Sequence, residues 1–185
     1  EEGRQILENE HMLMLLGDPG VGKTMLTKML ALAFVSEGYR IRYTTNGELA
    51  DLKRALSADR KRKELIVLDD CLGQHYFKMQ ETKENELLAL VKYIMHNLNK
   101  LLIMNSRVTI FHEARERSCD FRYFMDDENI KIRKLEMNGL DEEEKGWIFY
   151  NHLYFSGIPE EYYQNISKDR RYRAIVRHPN YTPRL

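Results

Sequence analysis

The run Gly17-Asp18-Pro19-Gly20-Val21-Gly22-Lys23-Thr24 carries the most specific chemistry in the chain. It satisfies G-x-x-x-x-G-K-[ST], a spacing in which glycines let successive backbone N–H groups turn inward around phosphate oxygens. A helix that starts at the end of the run points the positive end of its dipole at the same charge. In this pattern Lys23 reaches the β- and γ-phosphates, Thr24 offers its hydroxyl to Mg²⁺, and Met25 closes the nucleotide-binding run. The segment "LIVLDD" supplies two acids at the end of an apolar strand. Asp69 is expected beside the metal and its waters. Asp70 is expected to orient or deprotonate an attacking water, the alternative being that it caps or salt-bridges the next loop. Arg107 follows "KLLIMNS", after Asn105 and Ser106. A cation there senses the γ-phosphate or stabilises charge during transfer, unless it makes only a surface ion pair.

These residues need elements that bring them together. "HMLMLL" reads as a buried strand, and "KTMLTKMLALAFVSEG" as the helix that follows the glycine loop. "YRIRYTT" alternates as a second strand, "GELADLKRALSADRKRK" reads as an amphipathic helix, and "ELIVLDD" as a third strand. "KENELLALVKYIMHNLN" sets Leu87, Leu88, Val91, Ile94, Met95 and Leu98 on one helical stripe. "KLLIMNSR" is expected as a strand beside the Asp69 strand, "VTIFHEARERS" as a helix and "NIKIRKLEM" as a last strand. The segment 119–129, "CDFRYFMDDEN", reads as a mobile surface loop. Alternation of strands and helices predicts an α/β fold with a parallel sheet and right-handed crossovers. From Asp141 onward the pattern is helical, so residues 1–139 are expected to form a nucleotide-binding core and 140–185 a small helical subdomain.

Composition excludes several classes. Among 185 residues, 29 Lys and Arg balance 29 Asp and Glu, so no global charge draws the chain to nucleic acid or an anionic membrane. Cys71 and Cys119 lack metal-ligand spacing and suggest a reducing, cytoplasmic setting. No apolar run approaches the roughly 18–20 residues that span a bilayer. The start lacks an initiator Met and the end lacks a tail, as expected of a segment from a larger protein. The run 59–63, "DRKRK", reads as a solvated helix end, with phosphate contact as the alternative. Trp147, Phe149, Tyr150, Tyr154 and Phe155 are expected in a core between helices and sheet rather than on a base-stacking surface. His96 and His112 read as structural or exposed, and Glu142, Glu143 and Glu144 as favouring a helix N-terminus.

With "LDDCLGQ", "IMNSR" and "HPNYTPRL" beside the phosphate loop, the chain resembles the STAND class of P-loop signalling NTPases. The likeness is to the novel STAND type three group of bacterial antiviral sensors and covers nearly the whole chain. It implies a P-loop NTPase sheet flanked by helices and followed by a helical subdomain. It also implies a switch in which ADP holds a closed monomer, while ATP permits oligomerisation through the NTPase domain. Sensor and effector domains would lie outside this segment, and a phage protein is the implied trigger. Lys23, Thr24, Asp69, Asp70 and Arg107 match the family's nucleotide and sensor positions. Pro183 is similar to a late proline that packs near the base, with Pro179 as the competitor and helix termination as the plain reading of either. No NKxD-type motif is present, which favours ATP over GTP. Rival readings are an AAA+-type helicase loader or transposition helper acting on nucleic acid, a small-molecule kinase, and a binding module that does not hydrolyse.

Overall fold

Long runs of apolar residues form strands when a sheet is covered on both faces, because neither face then requires polar side chains. In the computed structural model, which describes residues 1–45, 49–57, 59–73, 81–127, 130–137 and 139–182, three such runs and two flanking strands of mixed polarity make one sheet. They are β1 (Met12–Gly17), β2 (Arg40–Thr45), β3 (Glu64–Asp69), β4 (Lys100–Arg107) and β5 (Ile132–Glu136). The order is β2-β3-β4-β1-β5 and every pairing is parallel. Strand β4 therefore lies between the strand that leads into the phosphate loop and the strand that ends at Asp69.

Two compact units are present. One comprises Glu1–Pro19 and Lys23–Glu136, the other Gly20–Gly22 and Met137–Leu185. In the first, helices α1 (Glu2–Glu10) and α2 (Lys23–Ser36) supply Leu7, Leu30 and Phe34 to a core with Leu13, Leu15, Leu65, Val67, Leu101 and Ile103. The alternate residues of the same strands, among them Met14, Ile66, Leu68 and Met104, face α3 (Leu49–Ala55), α4 (Glu81–Met95), α5 (Val108–Arg117) and α6 (Cys119–Asp126). This is the two-faced burial that the apolar runs imply. Helix α2 is apolar on its outer side as well, where Met25, Met29, Leu32 and Val35 are exposed.

Three expectations are corrected. Within the segment 119–129, residues 119–126 are not a surface loop, because α6 buries Phe121, Phe124 and Met125. Ser118 caps it by accepting from the Phe121 N–H at 3.0 Å. Helix α3 stops at Ala55, and "DRKRK" at 59–63 is not helical, so it does not end a helix. Helix α4 ends at Met95, which takes Leu98 out of the helical stripe and leaves it 76% exposed. The N-terminal residues, assigned no element above, form α1, with Leu7 fully buried.

The second unit contains α7 (Glu142–Phe155), α8 (Glu160–Ser167), a 3₁₀ turn at Lys168–Arg170 and α9 (Tyr172–Val176). Helix α7 begins with a reciprocal cap: Glu144 N–H donates to Asp141 Oδ1 at 2.7 Å and Asp141 N–H to Glu144 Oε2 at 3.0 Å. The acids there thus serve the helix start. The aromatic expectation fails, since Trp147, Tyr154 and Phe155 are 60%, 66% and 80% exposed and α7 buries no residue. Apolar residues surround this helix on all sides, and so small a unit cannot cover them all. A groove of about 540 Å³, lined by Trp147, Tyr150, Tyr163 and Tyr172 among others, runs between these helices.

Candidate functional site

Because all strands are parallel, their C-terminal ends share one edge, the usual ligand-binding edge of an open α/β sheet. Gly17, Thr45, Asp69 and Arg107 end β1, β2, β3 and β4 there. In the loop after β1, Gly20 and Gly22 hold φ values of +90° and +96°. An L side chain is strained at such angles even where space is open, as it is at Gly22. The two glycines are thus required by backbone conformation before any ligand contact is considered.

Lys23 and Thr24 open α2. The Lys23 ammonium donates to the carbonyls of Gly17 at 2.8 Å and Asp18 at 2.9 Å, so the side chain folds back along the loop. Burial lowers its pKa, and Arg107 acts in the same direction, while Asp70, Asp18 and Asp69 oppose them. Arg107 ends β4 with extended backbone and leads directly into α5. Its charge also acts on Asp70, whose pKa is raised by burial first and by Asp69, against the opposing pull of Arg107 and Lys23. Lys23, Asp70 and Arg107 therefore form one electrostatic group.

Asp69 is held from three elements. Its Oδ1 accepts from Thr24 Oγ1 at 3.1 Å and from Asn105 Nδ2 at 2.6 Å, and its Oδ2 accepts from the Tyr43 hydroxyl. Burial and the hydrogen bond to Asp69 raise the Tyr43 phenol further above its ordinary value, so it remains a donor. Asn105, only 2% exposed, also donates to Thr27 Oγ1 at 3.3 Å and accepts from the Asp70 N–H at 2.7 Å. Its carbonyl accepts from the Cys71 N–H at 2.9 Å. These bonds pin the turn at Asp70, which has a left-handed φ of +54° that aspartate tolerates better than most residues. Cys71 lies behind it, and burial pushes its thiol up to about 12, which makes it unreactive.

The donor set fits a hard divalent cation. One hydroxyl and one carboxylate 3.1 Å apart match magnesium, which keeps several waters and takes its remaining ligands from phosphates. No cluster of three or more His, Cys, Asp or Glu suited to a metal exists among the described residues.

Lys23, Thr24, Asp69, Asp70 and Arg107, which motif reasoning selects, lie in the first unit around one sheet edge. Asp18 and Pro19 are exposed in the loop, Val21 is partly covered, and the Met25 side chain is 64% exposed. Pro183 lies outside the described residues; Pro179 is exposed in the turn after α9. Asn105 and Tyr43 were not singled out by motif. The available signals were a polar residue at the end of the apolar run "LLIM" and a hydroxyl in the alternating strand "RIRYTT".

Comparison with known proteins follows the same lines. The profile of the family described as Novel STAND NTPase 3 matches residues 1–155. No curated protein matches the chain in sequence. Among solved structures, domain III of the Thermotoga maritima replication initiation protein DnaA is 20% identical, with a TM-score of 0.59, covering 95% of this chain and 77% of that one. AMPPCP-bound DnaA from Aquifex aeolicus is 19% identical at a TM-score of 0.57, covering 94% of this chain and 57% of its own. The Thermotoga maritima RuvB Holliday junction branch migration motor is 17% identical at a TM-score of 0.52, covering 84% of this chain and 48% of its own. At these identities the likeness establishes the P-loop NTPase fold, and the chain spans only about half the length of the longer neighbours.

Proposed function

Starting from the fact that the chain belongs to the novel STAND NTPase 3 family, we propose that it is an ATP-operated switch module that hydrolyses ATP slowly to reset its state. The observation that carries this reading is the Thr24–Asp69 oxygen pair, set beside Lys23, Asp70 and Arg107 at the C-terminal edge of the sheet. Residues 17–25 bind the triphosphate, and Thr24 and Asp69 hold Mg²⁺, which when bound neutralises charge on the phosphates. Asp70 positions water for in-line attack on the γ-phosphorus. Its raised pKa suits a group that handles a proton. Arg107 distinguishes triphosphate from diphosphate by its charge, and Pro183 is taken as the base-side residue on the resemblance alone, with Pro179 as its competitor.

The functional division places a nucleotide-binding core in residues 1–139 and a helical subdomain in 140–185. The module self-associates through the NTPase unit, a reading supported by the exposed apolar stripe of Met25, Met29, Leu32 and Val35 on α2. It works in the cytoplasm, within a larger antiviral protein that supplies sensor and effector domains and answers to a phage protein. No helix among the described residues is long and apolar enough to cross a membrane.

The test is to denature the purified parent protein, identify the nucleotide released, and follow oligomeric state after adding ATP with and without candidate phage proteins. Retained ADP with trigger-dependent assembly supports the switch. Rapid exchange, a constant assembly and DNA-stimulated turnover would replace it with a nucleic-acid remodeller. In single-turnover hydrolysis, Asp70→Ala at wild-type rate would refute the water-positioning role.

A further inference from the structure

Tyr43 belongs to none of the motifs that select the nucleotide site. It lies on β2, an edge strand, opposite Val67, while Asp69 lies opposite Thr45 two positions further along. The ring is 45% exposed, so it contributes modestly to the core. Its hydroxyl nevertheless reaches across to Asp69 Oδ2, the oxygen that Thr24 and Asn105 leave alone. A carboxylate turns broadly about its last torsion, and two donors on Oδ1 do not by themselves fix where Oδ2 points. A third donor on Oδ2 sets the plane. All three donors are neutral, so the carboxylate is oriented and its charge remains for a cation.

We propose that Tyr43 is a positioning residue for the metal-side carboxylate, fixing Asp69 so that its pairing with the Thr24 hydroxyl presents one geometry to a hydrated divalent cation. The inference rests on the nucleotide reading above. Partners that orient a metal-side ligand typically matter about 10- to 100-fold in metal affinity.

The experiment measures the affinity of a fluorescent ATP analogue for the full chain with Mg²⁺ and with EDTA, in the wild type, Tyr43→Phe, Asp69→Asn and the double variant. Tyr43→Phe keeps the ring, and circular dichroism verifies that each variant folds. The expected result is a loss of about 10-fold in Tyr43→Phe with Mg²⁺ and none with EDTA, with no further loss when Asp69→Asn is already present. Unchanged affinity with Mg²⁺ overturns the proposal, as does tighter binding, which would make the hydroxyl a competitor of the metal's waters. Equal losses in Mg²⁺ and EDTA overturn it in favour of a general structural role. Urea unfolding of the nucleotide-free protein supplies a second arm: coupling between the two substitutions supports the contact, and strict additivity overturns it. A wild type that binds no ATP analogue refutes the nucleotide reading and the inference with it, an outcome separate from the others.

Discussion

Strand β3 carries a carboxylate at each end, and the protein treats the two differently. Glu64, at its start, is fully buried and meets cations: Lys100 of β4 at 2.6 Å and Arg42 of β2 at 3.0 Å. Lys100, also fully buried, donates in addition to the carbonyls of Asp59 at 3.3 Å and Arg62 at 3.0 Å. Asp69, at the end, also receives donors from β4 and β2, but they are the Asn105 amide and the Tyr43 hydroxyl. The same two neighbouring strands thus neutralise one carboxylate and only orient the other. Charge that is paired within the protein fastens the sheet, whereas charge held by neutral donors remains available to a cation.

Substitutions can break this contrast. The largest effect is expected at the paired end, where Lys100→Met leaves the buried Glu64 carboxylate with Arg42 as its remaining cation and takes the donor from the Asp59 and Arg62 carbonyls. It should cost about 3–5 kcal/mol of stability in urea unfolding, with nucleotide affinity retained in the molecules that remain folded. A loss of affinity without a loss of stability would erase the distinction between the ends. At the opposite edge the pattern should invert. Lys23→Ala removes charge-assisted contacts to phosphate and should weaken ATP binding on the order of 100-fold in calorimetry, with an unfolding midpoint close to wild type. Asn105→Ala should fall between, destabilising by about 1–3 kcal/mol because the Asp70 N–H loses its acceptor.

The smallest test uses pH. Burial pushes Glu64 up, yet hydrogen bonds from Lys100, the Ser57 N–H and Arg42 outweigh it and hold its carboxyl below the usual glutamate value. A group with a depressed folded pKa stabilises above its unfolded value and loses that contribution as pH falls through the folded one. Stability should therefore decline from about pH 4.5 downward, and Glu64→Gln should flatten that part of the curve. A Glu64→Gln profile parallel to wild type would show that this end does not govern acid sensitivity.

Legibility differed by how local each feature is. The three central strands were readable because a sheet covered on both faces demands apolar runs, as in "HMLMLL" and "ELIVL", and the two edge strands from "YRIRYTT" and "NIKIRKLEM", which are only partly buried. Helix α6 was missed because its apolar residues, Phe121, Phe124 and Met125, are interleaved with Asp, Arg and Tyr in a short segment. The Ser118 cap and the three-residue spacing of the two phenylalanines were the signal. The aromatic run of α7 was misread as core because composition favours burial, whereas a small helical unit offers too little surface to cover it. In the site, Lys23, Thr24 and Asp69 were legible from motif, while Asn105 was read only as a neighbour of Arg107.

The sequence by itself determined the phosphate loop, since its requirements are met within contiguous residues. Glycine must occupy positions where φ is strongly positive, and lysine and threonine must follow at the start of a helix. The residues pointed to β4 beside β3, but only the tertiary structure decided that its other neighbour is β1. Apolar runs of similar composition do not specify their neighbours, and the order is settled by how helices pack on both faces at once. That order places Asn105 between Thr27 and Asp69, and aligns Tyr43 with one end of β3 and Lys100 with the other.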